Sequence, residues 1–206
     1  YLNLADPDGA RLAETIEKYK AQIRFASWLG AGVVGTETGN PNSLYVPDPA
    51  SRTEEALYTF TKNLSCVVEY AEKMGVVVAI EPVCRHIVYD ARRARQVLRS
   101  IQSPNLQIIL DPVNLLDDCD AGRYKDVVKE AIELLGEDVA VIHVKDFSVS
   151  DGKIVSMAAG TGIMDYSDLI RFMKMDKPYI HATLEDTVPE NAVQAREFME
   201  RLWNEA

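Results

Sequence analysis

Cysteine is scarce in this chain: three among 206 residues, with no CxxC pair. Cys66, Cys84 and Cys119 are far apart and odd in number. This usage suits a reducing, cytoplasmic setting better than a disulfide framework. Histidine is equally scarce, at three. Positive charge is in deficit, with 22 Lys and Arg against 32 Asp and Glu and a formal charge of −10. Such a balance repels phosphate backbones and argues against a nucleic-acid partner. No apolar run approaches the roughly 20 residues of a membrane span. The opening Tyr1-Leu2-Asn3-Leu4-Ala5-Asp6 lacks the basic-then-apolar order of a signal peptide, so no membrane partner is expected. The first residue is not Met, so a processed or truncated N-terminus is expected.

What is present is an ordinary globular composition, 47% hydrophobic and 26% charged, enough for one sizeable core. A single domain over 1–206 is the expectation, since no low-complexity linker divides the chain. Asp6-Pro7 is placed to cap a helix with apolar steps at Leu12, Ile16, Tyr19, Ile23 and Ala26, ended by Gly30. Residues 32–36 are β-prone. A long helix is expected from about Pro49 to Met74, opened by a Ser51/Glu54 capping box and closed by Gly75. Apolar strands then alternate with helices: 76–80, a helix opened by Asp90, 106–110, a helix over 122–135, 139–142, a helix bracketed by Asp165 and Asp168, 179–184, and a last helix over 191–203. Strands apolar on both faces, alternating with helices, predict a parallel sheet covered by helices.

Four of these five strands stop on a metal-ligand residue: VVVAI-Glu81, LQIIL-Asp111, VAVI-His143 and HATL-Glu185. Ligands bind at the carboxyl ends of strands in such folds, where the loops converge. One carboxylate after a strand is usually a turn or cap residue. Glu, Asp, His and Glu on successive strands are harder to read as turns. Three carboxylates and one imidazole would repel one another without a cation. Oxygen-rich donors with one nitrogen suit one divalent ion, Mn²⁺, Mg²⁺ or Co²⁺, with Zn²⁺ an alternative.

These residues, with Ala79-Ile80-Glu81-Pro82, Ile109-Leu110-Asp111-Pro112, Ile142-His143-Val144-Lys145-Asp146, Leu184-Glu185 and Gly160-Thr161-Gly162-Ile163-Met164-Asp165-Tyr166, resemble the xylose-isomerase-like TIM barrels, the sugar phosphate isomerase/epimerase superfamily. The resemblance spans nearly the whole chain. It implies a (β/α)8 TIM barrel of which this chain lacks the first three strands. It implies metal ligation by Glu81, Asp111, His143 and Glu185, with Glu81 and Glu185 as the two proton-transferring residues. The implied reaction is proton abstraction next to a carbonyl, through an enediolate, on a small sugar or cyclic-polyol ketone. Homo-oligomers are compatible with the resemblance.

Lys145 lies two residues beyond His143 and so on the same strand face, within reach of substrate; a solvated lysine is the plain alternative. Glu37, Arg85 and His86 are further substrate-binding candidates, read against ordinary loop residues. Asp146 is read as a loop brace, Gly160 and Gly162 as turn glycines, and His181 as a barrel-floor residue. The chain departs from the ketose 3-epimerase pattern at Asn114, where that group has a histidine, and at Val149, where it has an arginine. Lys145-Asp146 is more like the inosose dehydratase and hydroxypyruvate isomerase branches. Two alternatives therefore stand beside the isomerase: a lyase of the inosose dehydratase type on the same metal site, and a binding module without catalysis. A multi-zinc nuclease of related fold is disfavoured by the three histidines and the acidic charge.

Overall fold

The computed structural model describes residues 2–206. The chain divides into two compact units, Tyr1–Ile109 and Leu110–Ala206.

The first unit opens with helix α1 (Gly9–Leu29). Its cap is Asp8, whose carboxylate accepts the amides of Ala10 and Arg11. Asp6, expected in that role, accepts the Asp8 amide and the Ser43 hydroxyl instead, at 2.9 and 2.6 Å. Helix α2 (Glu54–Met74) is preceded by a 3-10 turn over Pro49–Arg52, and its cap is Thr53. The expected Ser51/Glu54 capping box does not form, because both side chains are engaged elsewhere: Ser51 donates to Asn40 at 2.7 Å and Glu54 accepts from Arg93 at 3.1 Å. Phe60, Leu64, Val67, Val68 and Ala71 make one buried stripe along α2 at steps of four, three, one and three. Burying each large member stabilises the fold by about 1.5–3 kcal/mol. Gly30 and Gly75 end the two helices in the left-handed conformation, as their positions predict.

Strands β1 (Val33–Glu37), β2 (Val77–Glu81) and β3 (Leu106–Leu110) run parallel in the order β1-β2-β3, with helix α3 (Ala91–Ile101) on the connection between the last two. The register pairs Val33 with Val77 and ends by pairing Glu37 with Glu81. Two acidic side chains therefore finish neighbouring strands at one level.

In the second unit, helix α4 (Tyr124–Leu135) leads into strand β4 (Val139–Val144), and helix α5 (Ser167–Asp176) into strand β7 (His181–Leu184). Helix α6 (Ala192–Glu205) closes the chain. β4 and β7 pair in parallel from Val141↔His181 to Val144↔Leu184. The helix expected from residue 122 begins at Tyr124, after a 3-10 turn capped reciprocally by Asp117 and Asp120. α4 ends at Leu135, and Gly136, in the right-handed conformation, opens a further 3-10 turn. Between β4 and α5 stands a hairpin absent from the sequence expectation, strands β5 (Asp146–Ser150) and β6 (Lys153–Met157). Asp151 and Gly152 turn it with both φ positive, 49° and 74°, the geometry of a tight two-residue hairpin.

The five expected parallel strands are all present. The core of the second unit is built on Leu135, Ile142 and Phe147, each fully buried. His181 departs from expectation, since residues 181–183 of β7 are exposed. The reason is that β7 is paired along one edge alone among the described residues.

Candidate metal centre

Asp111 follows β3 directly and is fully buried. Its Oδ1 accepts the amides of Val113 and Asn114, both at 2.9 Å, so the residue makes the turn out of the strand. That leaves its Oδ2 aimed elsewhere: at the Lys145 ammonium, 2.9 Å away, and toward His143 Nδ1 at 3.9 Å. His143 comes from β4, and its Nδ1 stands 2.9 Å from Glu185 Oε1. Glu185 is placed by the sheet, because its amide donates to Val144 O at 2.9 Å and continues the β4–β7 ladder. Its Oε2 accepts from Lys145 Nζ at 2.9 Å. One donor atom each from Asp111, His143 and Glu185 can be chosen so that all lie within 4.8 Å of one another. Two carboxylates and an imidazole at that spacing form a cluster that can hold a divalent ion.

The electrostatics follow from those contacts. The His143 contact lowers the Glu185 pKa against the opposing effect of burial, and Lys145 lowers it further, to about 2. Glu185 is thus a carboxylate at neutral pH, the form that a metal ligand or a base requires. Burial works against the Lys145 charge, yet Asp111 and Glu185 outweigh it and push its pKa above the usual lysine range. Lys145 is only 5% exposed, so it lies inside this cluster and not in solvent.

The backbone around Lys145 is pinned. Tyr166 donates its hydroxyl to Lys145 O at 2.9 Å. The next residue, Asp146, accepts the amides of Phe147 and Met164 on Oδ1, at 2.8 and 2.9 Å, and of Gly160 on Oδ2 at 3.1 Å. Gly162 passes so close that an added Cβ would sit 2.2 Å from Phe147 O and 2.4 Å from Asp146 Oδ1. The loop brace and the turn glycines expected from sequence occupy those places.

In the first unit, Glu81 ends β2 and is 5% exposed. Its register partner Glu37 ends β1 and accepts the Tyr45 hydroxyl at 3.2 Å. His86 Nδ1 lies 3.8 Å from the same Glu37 oxygen, and the rings of Tyr45 and His86 meet edge-on, 5.3 Å apart. Burial lowers the His86 pKa, although the Glu81 charge opposes it. Arg85 is exposed on the same loop. Tyr45 is a member of this group that no motif in the sequence marks. It has a φ of 58°, uncommon for an aromatic residue, in the loop that follows β1. The one signal for it was an aromatic side chain inside a Gly/Asn/Pro loop at a strand's carboxyl end.

Among the described residues, no helix is long and apolar enough to cross a membrane. The family model that matches the chain, over residues 1–202, is described as a xylose isomerase-like TIM barrel. No curated protein sequence matches. Solved structures do, and their low identities speak for fold alone. One is a D-tagatose 3-epimerase-like protein, 21% identical with a TM-score of 0.79, covering 99% of this chain and 75% of that one. An IOLI protein with a bound zinc atom is 18% identical with a TM-score of 0.72, covering 98% and 75%. The probable 3-DHS dehydratase AsbF from Bacillus anthracis is 16% identical with a TM-score of 0.75, covering 99% and 75%.

Proposed function

The chain belongs to the xylose isomerase-like TIM-barrel family, and we propose that it is a divalent-metal-dependent isomerase or epimerase of a small sugar or cyclic-polyol ketone. One observation carries the reading: Asp111, His143 and Glu185, 74 residues apart in sequence from first to last, bring their ligand atoms within 4.8 Å of one another. Glu81 is the proposed fourth ligand, as the buried carboxylate that ends β2. That one family model runs through both compact units supports reading 1–206 as a single domain.

A divalent ion held by these residues supplies Lewis-acid polarisation of a carbonyl and its neighbouring hydroxyl. The rest is the work of side chains. Glu81 and Glu185 are the proposed proton carriers, one removing the proton next to the carbonyl and the other returning it. General-base transfer of this kind contributes about 10² to 10⁴ in rate. Asp111 and His143 act as ligands alone, since Asp111 Oδ1 is committed to the turn. Glu37, Arg85, His86 and Lys145 are the proposed substrate contacts. Mn²⁺, Mg²⁺ and Co²⁺ suit the donor set, and Zn²⁺ is bound by the IOLI protein of the same fold.

A lyase that dehydrates a cyclic ketone begins with the same proton abstraction, and it is the second reading, since Asn114 and Val149 depart from the ketose 3-epimerase pattern and Lys145-Asp146 is like that of the inosose dehydratase and hydroxypyruvate isomerase branches. The test is solvent deuterium incorporation into a panel of ketoses, hydroxypyruvate and inososes, with Mn²⁺ or Mg²⁺ and with EDTA. Metal-dependent exchange without mass loss, abolished in Glu185→Gln, is the expected result. Loss of water identifies the lyase. Stoichiometric metal with no exchange on any compound leaves a binding module.

A further inference from the structure

Lys145 is a buried cation placed where the proposed metal ligands converge. Its Nζ is 2.9 Å from Asp111 Oδ2 and 2.9 Å from Glu185 Oε2, so the ammonium joins an oxygen of one proposed ligand to an oxygen of another. The Asp111 carboxylate has no second oxygen to spare, because Oδ1 is held by two backbone amides. At the backbone Lys145 is fixed, through Tyr166 on its own carbonyl and through the three amides on Asp146. The side chain beyond is a flexible four-carbon stem that can move its charge without moving that backbone.

We propose that Lys145 is the resident cation of the metal-free centre, and that a divalent ion binds by displacing its ammonium from Asp111 and Glu185. The inference rests on the reading of Asp111, His143 and Glu185 as metal ligands. In the metal-free state the single positive charge keeps the buried Asp111 and the half-buried Glu185 carboxylates compatible, since like charges at this spacing repel where water is scarce. On loading, a doubly charged ion meets the same oxygens. The ammonium then opposes it, by repulsion and by occupying the lone pairs the metal requires. Loading is therefore an exchange of one cation for another, and the resident lysine lowers the affinity of the centre in return for a stable empty form.

The test is calorimetric titration of Mn²⁺ into the metal-stripped full chain, with thermal unfolding of the metal-free protein alongside. The wild type, Lys145→Met, Lys145→Gln, Lys145→Arg and, as a ligand control, His143→Ala are compared. The expected result is Mn²⁺ binding tighter by about tenfold or more in both neutral variants, together with a lower metal-free Tm. Lys145→Arg keeps the charge and is expected to keep the wild-type affinity within a few fold. Equal or weaker Mn²⁺ binding in Lys145→Met and Lys145→Gln overturns the exchange and makes Lys145 a support for its ligands. If Lys145→Met fails to fold, the Lys145→Gln titration decides alone. A wild type that binds no Mn²⁺, or a His143→Ala that binds it as well as the wild type, overturns the metal centre itself, a failure distinct from the first.

Discussion

Asp111 and Asp146 are both fully buried aspartates at the ends of strands, and they are used in opposite ways. Asp146 spends both oxygens on backbone amides, those of Phe147, Met164 and Gly160. Asp111 spends one oxygen on the amides of Val113 and Asn114 and turns the other toward Lys145. The first is a brace that closes a loop; the second is half brace and, in the proposed function, half ligand. Burial and residue type do not separate a structural carboxylate from a chemical one. The direction of the second oxygen does.

The largest effect that tests this contrast is on stability at Asp146. Removing its carboxylate leaves three amides without their acceptor, two of them in buried bonds. Each such loss costs about 1–3 kcal/mol, so Asp146→Ala should destabilise the protein by about 3–5 kcal/mol, read by urea denaturation. A loss below about 1 kcal/mol would contradict the brace.

Asp111→Asn is the complementary change. It keeps an oxygen for the turn amides and removes the charge. Metal affinity should fall on the order of 10²-fold, equivalent to about 2.7 kcal/mol, while unfolding free energy falls by less than in Asp146→Ala, because Lys145 keeps Glu185 as its partner. Calorimetry with Mn²⁺ and urea denaturation on the same preparation check both halves. A stability loss as large as that of Asp146→Ala, with metal affinity unchanged, would erase the distinction between the two aspartates.

How far this contrast was legible in the sequence depends on what each feature consists of. The strand-end ligand candidates were legible because apolar runs locate strands and the next residue is then Glu81, Asp111, His143 or Glu185. Asp146 was legible as a brace because alternation along the chain turned it away from Lys145. The β5–β6 hairpin is signalled by Asp151-Gly152 between alternating residues, a local antiparallel motif that the dominant helix–strand rhythm overlies. The caps failed for a different reason. Ser51 and Glu54 have the right spacing, but Asn40 and Arg93, far off in sequence, claim their side chains. Lys145 was legible as a face and not as a partner, since its contacts with Asp111 and Glu185 join segments 34 and 40 residues away. Tyr45 follows from a loop conformation that no periodicity encodes.

A smaller effect comes from pH. The pKa of Glu185 is lowered in the folded protein from 4.5 to about 2. A carboxylate lowered in this way contributes stability that is fully present above its unfolded value and is lost as pH falls from about 4.5 toward 2. In the metal-free protein, Tm should therefore drop across that window, and Glu185→Gln should remove part of the slope. Glu185 is half-buried, so solvent screening reduces the effect to a part of the whole acid transition. An identical pH slope in Glu185→Gln would show that its contacts with His143 and Lys145 contribute nothing to stability.

The smallest effect separates the backbone of Lys145 from its ammonium. Tyr166→Phe deletes the hydroxyl that donates to Lys145 O and leaves the ring, which meets Phe198 edge-on at 5.6 Å. Loss of one buried hydrogen bond with its acceptor still in place costs about 1–2 kcal/mol, a fall of about 2–8 °C in Tm for a chain of this size. The three amides on Asp146 still pin the neighbouring residue, so the Lys145 stem keeps its origin and its reach to Asp111 and Glu185. Mn²⁺ affinity in Tyr166→Phe should then stay within about threefold of wild type, less than the 1.4 kcal/mol of a tenfold change. A tenfold shift in affinity would mean that the carbonyl anchor, and not Asp146, sets where the ammonium lies, and the division between brace and ligand would have to be drawn one residue earlier.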